Sequence, residues 1–185
     1  MSDLTLASFA EMMIHPALCV HPQPLSLLIV GEEGDRIAKE CDKYTPSLAA
    51  VVHKDKSVLA HLAEGSFDII VIADDQPLTS QDSAYLHRLL TSAGIALVSA
   101  TPYEKRLEDL KNELLAASLF RIAMPYRFDG GMALFLSKLY HPLADLVLQK
   151  VDMTDGYTYY NAEVHNAAFA LPTLVRQTLL GYAKN

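Results

Sequence analysis

Short apolar runs alternate with segments of helical periodicity along almost the whole chain. The apolar runs are rich in branched residues, which predicts buried β-strands at residues 25–30, 47–52, 67–73, 94–100, 118–124 and 132–138. Between them, apolar residues recur at helical spacing, which predicts helices at residues 6–19, 35–44, 55–64, 80–92, 103–117, 142–151 and 172–183. Pro16 is expected to end or kink the first helix, because proline has no N–H to donate within a helix.

The order of these elements predicts an α/β fold. Strands that alternate with helices and are apolar on both faces form a mostly parallel sheet that is covered on two sides. The turn at residues 125–131 is too short for a crossover helix, so the last two strands are expected to pair antiparallel. We therefore predict a doubly wound, mostly parallel sheet of about six strands with an antiparallel last strand. No repeat or linker interrupts the pattern, which indicates a single domain over residues 1–185.

Composition narrows the classes of function. The 185 residues carry a formal net charge of −7 and show no basic patch, which argues against nucleic acid as a partner. No apolar run approaches the roughly 18 to 20 residues of a membrane span, and the N-terminus does not have the pattern of a signal peptide. Cys19 and Cys41 lack metal-ligand spacing, so we expect buried free thiols, no metal and a cytoplasmic location.

Candidate chemistry is expected in the loops at one edge of the sheet. In sheets of this kind, ligands bind at the carboxyl ends of the strands, near the point where the strand order reverses. The segments that follow the predicted strands at this edge are residues 31–35, 53–55, 73–77, 101–104 and 125–131.

The tail sequence YYNAEVHNAAFALP, residues 159–172, closely resembles the C-terminal motif of the spermidine synthases. These aminopropyltransferases move an aminopropyl group from decarboxylated S-adenosylmethionine to putrescine on a methyltransferase-like, Rossmann-type fold. Residues 11–24, 67–77 and 122–135 resemble the family as well. The resemblance begins at the helix predicted at residues 6–19 and does not include the family's small N-terminal β-domain, which implies a divergent and truncated member. The matching tail positions are Tyr160, Asn161, His165, Ala167, Phe169, Leu171 and Pro172.

The family's nucleoside-binding loop, Gly-Gly-Gly-Asp-Gly, corresponds to Gly31, Glu32, Glu33, Gly34 and Asp35. The resemblance makes Gly31, Glu33, Gly34 and Asp35 candidate ligand-binding residues. Only the first glycine is kept in place, and glutamate resists the backbone geometry that glycine permits. We therefore predict that the nucleoside does not bind here in the family's manner. The alternative interpretation is that the acidic residues are solvated at a helix N-terminus, where the helix dipole favours them.

The ribose and adenine positions also depart from the family. The family's ribose-binding acid is replaced by His53, and a neutral imidazole has a single acceptor nitrogen. Asp55 follows two residues later and is a candidate for holding a cationic group. Between Asp55 and Phe67 there is room for one short helix only, so we expect the family's next strand and its adenine-binding Asp-Gly to be absent.

The family's catalytic segment, Asp-Ser-Ser/Thr-Asp-Pro, corresponds to Ala73, Asp74, Asp75, Gln76 and Pro77. Its first acid takes a proton from the attacking amine, which must be deprotonated to act as a nucleophile. That position is Ala73 here, and Asp74 or Asp75 replaces it if the turn is one residue tighter. The alternative interpretation is that both are solvated turn residues.

The family's substrate-binding aromatic positions have lost their polar groups. Phe9 stands where the first helix of the family has a tyrosine, and Phe128 falls near the family's substrate tyrosine. Tyr126 and Asp129 flank Phe128 and are expected to compensate in part. Asn161 and His165 are interpreted as structural residues that cap and bridge the C-terminal helices.

Two main hypotheses follow for the function. The first is a spermidine synthase-like protein of polyamine metabolism with a degenerate active site, which is weakly catalytic or non-catalytic. It binds a polyamine or another small molecule, or associates with a partner enzyme that carries the active site. The second is a working aminopropyltransferase with decarboxylated S-adenosylmethionine as co-substrate. A changed chemistry on the same fold, such as methyl transfer, is a third. We expect no bound cofactor and a homodimer in each case.

Overall fold

Six strands form one sheet at the centre of the computed structural model, which describes residues 3–44 and 48–185. They are β1 (Ser26–Val30), β2 (Ala49–His53), β3 (Phe67–Ile72), β4 (Leu90–Ser99), β5 (Ile122–Phe128) and β6 (Gly131–Ser137). The spatial order is β2-β1-β3-β4-β6-β5, and β6 alone runs antiparallel to its two neighbours. The predicted α/β sheet, mostly parallel with an antiparallel last strand, is confirmed.

Helices cover both faces of this sheet. One face packs under α1 (Asp3–Met12), α2 (His15–Val20), α3 (Gly34–Glu40), α6 (Leu148–Met153) and α7 (Ala162–Ala168). The other packs under α4 (Ser80–Leu89), α5 (Tyr103–Ala116) and α8 (Thr173–Thr178). In β1, Leu27 and Ile29 enter the first core, whereas Leu28 and Val30 enter the second. None of the helices in the described residues is long and apolar enough to cross a membrane.

The helix predicted at residues 6–19 is broken where proline enters it. α1 ends at Met12, and α2 begins at His15 with Pro16 in its first turn. Proline suits the first turn of a helix, where its missing N–H has no role, and it disrupts the interior. The predicted interruption at Pro16 is therefore confirmed.

Strand β5 corrects a predicted boundary. The sequence predicts a strand at residues 118–124 and a turn at 125–131, whereas β5 continues to Phe128 and the turn is reduced to residues 129–130. The predicted turn begins at Pro125, because proline is a typical signal for the end of a strand. However, β5 lies at the edge of the sheet, where a residue without an N–H is tolerated.

Other boundaries shift because short segments hold too few turns to fix their ends from periodicity. The helix predicted at residues 55–64 is a 3-10 segment, Lys56–Ala60, and the helices predicted at 142–151 and 172–183 shrink to α6 and α8. The tail contains α7, which the sequence did not predict. The strand predicted at 47–52 is β2, and its predicted first residue, Ser47, lies outside the described residues.

The connection from β2 to β3 contains no strand in the described part of the chain. Residues 54–66 hold only the 3-10 segment, so β2 forms an edge of the sheet. The prediction of one short helical element and no extra strand at this place is confirmed. The side chain of Val51 is consequently 42% exposed.

A buried carboxylate ties the tail to the first helix. Glu11, which is 1% exposed, accepts hydrogen bonds from the backbone N–H groups of Thr158 (2.7 Å), Tyr159 (2.9 Å) and Tyr160 (2.7 Å). The ammonium of Lys43 lies 3.6 Å from the same carboxylate. Glu11 therefore fixes the path of the chain just before α7.

The histidine and asparagine of the tail have structural partners. Asn161 caps α7 by accepting a hydrogen bond from Val164 N at 2.8 Å. The buried ring of His165 lies 2.8 Å from the hydroxyl of Tyr160 and 2.8 Å from the carbonyl of Pro142. Both residues therefore have the capping and bridging positions expected from the sequence.

We expect the protein to lose stability as the pH falls from about 7.5 to about 5. Burial lowers the pKa of His15 below its usual 6.5, and this effect exceeds the opposing effect of the Glu40 carboxylate at 3.0 Å. Burial also lowers the pKa of His165. Unfolded chains then bind protons that the folded protein does not, so stability is lost as the pH falls through 6.5 toward the lowered values. Thermal melting at stepped pH measures this effect.

The contribution of each such histidine to the slope is at most about 1.4 kcal/mol per pH unit. His61→Gln, a change of an exposed histidine, is the control and should leave the pH profile unchanged. A melting temperature that stays constant over this range would contradict the expectation.

Candidate functional site

The loops after β1 and β3 meet where the strand order reverses. The chain passes from β1 outward to β2 and then returns to β3 on the opposite side of β1. Gly31 N donates to the carbonyl of His53 at 2.9 Å, and Ala73 N donates to the carbonyl of Val30 at 2.7 Å. Ligands of doubly wound sheets bind at this point, so the predicted edge carries the candidate site.

Two glycines shape the loop after β1. Gly31 has φ +139°, and a Cβ at this position would lie 2.1 Å from the carbonyl oxygen of Ala73. Gly34 begins α3, where a Cβ would lie 2.7 Å from Cγ1 of Val52. Both glycines are therefore required for packing the loop against the neighbouring strands, whatever the loop binds.

The acidic residues of this loop lie at the surface. Glu32 is 3.7 Å from the ammonium of Lys54, and Glu33 is 3.2 Å from the guanidinium of Arg36. Asp35 is exposed in the first turn of α3, where the helix dipole favours an acid. These pairs are exposed and contribute little to stability.

The other candidates for binding the nucleoside, His53 and Asp55, lie at the end of β2 and in the turn that follows it. His53 is half-buried at the last position of β2. The exposed carboxylate of Asp55 accepts a hydrogen bond from Ser57 N at 2.6 Å and caps the 3-10 segment. This hydrogen bond lowers the pKa of Asp55. Asp55 thus has a local structural role at the edge of the site.

Asp74 is bound within the protein. Its Oδ1 accepts a hydrogen bond from Gln76 N at 3.0 Å, and its Oδ2 lies 3.2 Å from the ammonium of Lys56. The same ammonium lies 3.5 Å from Asp82, which forms a capping box with Thr79 at the start of α4. The sequence analysis does not include Lys56 among the candidate site residues. The one sequence signal for it is a lysine directly after the loop acid Asp55.

A cavity of about 300 Å³, the α1 cavity, opens between α1, the loop after β1 and the turn between β5 and β6. It brings together five of the residues singled out from the sequence, namely Phe9, Glu33, Asp75, Phe128 and Asp129. The rings of Phe9 and Phe128 meet edge to face with centroids 6.2 Å apart. The remaining lining residues are Thr5, Leu6, Arg36 and Gly130.

A second cavity of about 450 Å³, the β4 cavity, lies between the loops after β3 and β4. Asp74 and Asp75 line one side, and Lys105 lies on the other. The loop after β4 is held by the buried carboxylate of Glu113, which accepts a 2.7 Å hydrogen bond from the hydroxyl of Thr101. Asp75 lines both cavities and is the acid that they share.

The structure does not bring Tyr126 to either cavity. Its side chain is completely buried, and its hydroxyl donates to the carbonyl of Met12 at 2.8 Å. Burial raises the pKa of this hydroxyl. Asp129 does reach the α1 cavity, where its carboxylate accepts a 2.8 Å hydrogen bond from Thr5 and its N–H donates to the hydroxyl of Tyr159.

No group of three His, Cys, Asp or Glu side chains in residues 3–44 and 48–185 is placed to hold a metal ion. The lining residues of the α1 and β4 cavities offer charged and apolar groups. The carboxylates attract a cation, and the two phenylalanine rings accept an aliphatic chain.

Comparisons with known proteins bear on this arrangement. No protein-family model matches the chain. It is 23% identical to the polyamine aminopropyltransferase of Clostridium acetobutylicum over 90% of this chain and 76% of that protein. It is also 23% identical to the polyamine aminopropyltransferase of Methylococcus capsulatus, over 92% of this chain and 76% of that protein.

Solved structures share the fold. Spermidine synthase from Thermotoga maritima superposes with a TM-score of 0.76 at 22% identity, over 94% of this chain and 74% of that one. Human methyltransferase-like protein 13 in complex with SAH superposes with a TM-score of 0.52 at 17% identity, over 93% of this chain and 94% of that one. The sheet and its flanking helices are thus those of a methyltransferase-like Rossmann fold.

Proposed function

We propose that this chain, a divergent relative of the spermidine synthases, binds a small aliphatic amine of the polyamine class and transfers aminopropyl groups weakly or not at all. Its candidate site occupies the carboxyl edge of the sheet, where the loops after β1 and β3 meet. The lining of the α1 cavity supports the binding of an amine, and the contacts of Asp74 support the weak or absent transfer.

The state of Asp74 is the observation that carries the proposed lack of catalysis. A general base needs a free oxygen within reach of the attacking amine. Gln76 N binds one oxygen of Asp74, and the ammonium of Lys56 stands at the other. The ammonium of Lys56 therefore occupies the position beside Asp74 that an attacking amine would need.

The nucleoside side supports the same conclusion. Glu32 and Glu33 stand in the loop where the family's glycines let the backbone approach a nucleoside, and His53 stands where the family has its ribose-binding acid. The strand that would follow β2 is absent from the described residues. Each change removes a contact on which decarboxylated S-adenosylmethionine would depend.

The α1 cavity supports the proposed binding of an amine. Leu6, Phe9 and Phe128 supply apolar lining, and Asp75 and Asp129 supply carboxylates. The guanidinium of Arg36 also lines this cavity and is paired with Glu33 at 3.2 Å. A linear aliphatic amine has matching chemistry, because its chain packs on the rings and its ammonium pairs with the acids. The charge of −7 on the whole chain adds a long-range attraction for cations.

A working aminopropyltransferase is the alternative function, and Asp75 favours it. This carboxylate is exposed and lines both cavities, so one acid faces two spaces that separate substrates would fill. Asp75 would then act as the base in place of Asp74.

We expect Asp75→Asn to weaken the binding of putrescine and spermidine by roughly tenfold, since it removes the carboxylate that has no ion-pair partner in the described residues. Calorimetric titration measures the affinities. Asp152→Asn, which removes the same charge from an exposed position on α6, is the matched control and should bind as the wild type does.

The same titration with decarboxylated S-adenosylmethionine, followed by a turnover assay with putrescine, separates the two functions. The proposal expects no tight binding of the nucleoside and at most weak aminopropyl transfer. Tight binding of the nucleoside with aminopropyl transfer would replace it by the alternative. Silence with every amine would overturn the proposed binding itself.

We further propose a cytoplasmic homodimer. Cys19 and Cys41 are both buried and free, which is usual in a reducing compartment. The edge strand β2 leaves backbone groups unpaired along its outer side, and a second copy of the chain would cover them.

A further inference from the structure

We infer that Lys56 is a specificity-determining residue whose ammonium occupies Asp74 as an internal ligand and confines an external amine to the α1 cavity. The inference rests on the proposed amine binding and concerns the selectivity of the same site. It follows from the placement of Lys56 rather than from the resemblance to other proteins.

The contacts of Lys56 differ from those of an ordinary surface lysine. Its side chain is 20% exposed, and its ammonium lies between Asp74 at 3.2 Å and Asp82 at 3.5 Å. The side chains of these two acids are themselves only 23% and 17% exposed. Ion pairs that are shielded from solvent in this way are screened less than surface pairs.

The backbone around Lys56 is held in place on both sides. Asp55 caps the 3-10 segment through Ser57 N, and the side chain of Leu59 is completely buried in the second core. The guanidinium of Arg88 donates to the carbonyls of Leu59 at 2.9 Å and Leu62 at 2.8 Å. A tethered ammonium therefore faces Asp74 at an effective concentration that a dilute free amine does not match.

The two neighbouring aspartates consequently differ in what they offer. Asp74 is neutralised from within, whereas Asp75 has no ion-pair partner in the described residues and lines both cavities. An amine from solution pairs with Asp75 and places its chain against the rings of the α1 cavity. The β4 cavity shares Asp75, but its other acid, Asp74, is already paired with Lys56 and its lining includes Lys105, so it disfavours an external ammonium relative to the α1 cavity.

Lys56→Met tests this inference, because methionine keeps an apolar stem and removes the charge. We expect putrescine and spermidine to bind roughly tenfold more tightly to this variant in calorimetric titration, since Asp74 becomes available. Lys54→Met is the matched control. It removes the same charge two residues away from a side chain that is 75% exposed and paired with Glu32, and it should change the affinity by less than about twofold.

Two further variants make the test specific. Lys56→Arg keeps the positive charge and should bind amines as the wild type does. Adding Asp74→Asn to Lys56→Met should abolish the gain, because the gain depends on the freed carboxylate. Thermal melting checks that each variant is folded, and Lys56→Gln, which also removes the charge, replaces Lys56→Met if the latter unfolds.

The outcomes separate the inference from the proposed function. If Lys56→Met binds no better than the wild type while Asp75→Asn weakens binding, the role of Lys56 is overturned and the amine-binding function stands. If Lys56→Met binds amines and the wild type does not, the occupation of Asp74 by Lys56 is supported, whereas amine binding by the wild type and its confinement to the α1 cavity are refuted. If neither protein binds any amine, both are overturned.

Discussion

Replacing Gly31 with alanine is expected to lower the free energy of unfolding by about 4 kcal/mol or more, the range of severe backbone clashes. Gly31 has φ +139°, and the new Cβ would lie 2.1 Å from the carbonyl oxygen of Ala73. That contact is with backbone, so no side-chain rotation relieves it. The loop after β1 and the start of β3's loop would have to separate, which disturbs the candidate site as well as the sheet. Urea denaturation measures the loss.

The control for Gly31 is Gly65→Ala. Gly65 also has a positive φ, +64°, but a Cβ there meets no atom within 4 Å. This variant should cost only the intrinsic strain of a left-handed residue, about 1 to 2 kcal/mol. Equal losses for the two variants would show that strain, rather than the close approach to Ala73, sets the requirement for glycine.

Replacing Glu11 with alanine is expected to cost about 3 to 5 kcal/mol of stability, the usual penalty for removing one partner of a buried charged cluster. The change leaves the N–H groups of Thr158, Tyr159 and Tyr160 without this acceptor, and the N–H of Tyr160 is in a buried residue. Denaturant unfolding, followed by circular dichroism, measures the loss.

Two comparisons give the Glu11 result its meaning. Glu11→Gln keeps one carbonyl acceptor and should fall between the wild type and Glu11→Ala. Glu32→Ala removes an exposed carboxylate and should change the stability by less than about 0.5 kcal/mol. A loss below about 1 kcal/mol for Glu11→Ala would contradict the proposal that Glu11 fixes the tail to the first helix.

The hydrogen bonds of Glu11 also connect the tail to the candidate site. Glu11 binds Tyr159 N, and the hydroxyl of Tyr159 accepts a hydrogen bond from Asp129 N at 3.1 Å in the turn that closes the α1 cavity. The tail residues that resemble the family therefore support the shape of the cavity while they remain outside it.

The predictions for the fold succeeded where the signal is local. β1, β3 and β6 are continuous apolar runs buried on both faces, and their periodicity does not depend on the rest of the chain. β5 was misplaced because Pro125 is a local signal for a strand end, and only its position at the edge of the sheet makes it harmless.

The candidate site residues come from segments that are distant along the chain. The topology of the sheet gathers Phe9, Glu33, Asp75, Phe128 and Asp129 at one cavity, and whether they bind a ligand stays a prediction. Tyr126 and Phe128, two residues apart, face the same side of β5, but Tyr126 lies inside the first core, where its hydroxyl donates to the carbonyl of Met12. Lys56 was missed because its partners are distant in sequence.

The sequence by itself determined the class of the sheet, the position of its carboxyl edge and the loops that meet there, because these depend on hydrophobic periodicity and on a resemblance carried by contiguous motifs. Only the tertiary structure decided which acid is engaged and which is free. The ammonium of Lys56, eighteen residues before Asp74 along the chain, lies 3.2 Å from the carboxylate of Asp74, whereas Asp75 has no ion pair in the described residues. Such distances arise from packing and cannot be obtained from the pattern of residues.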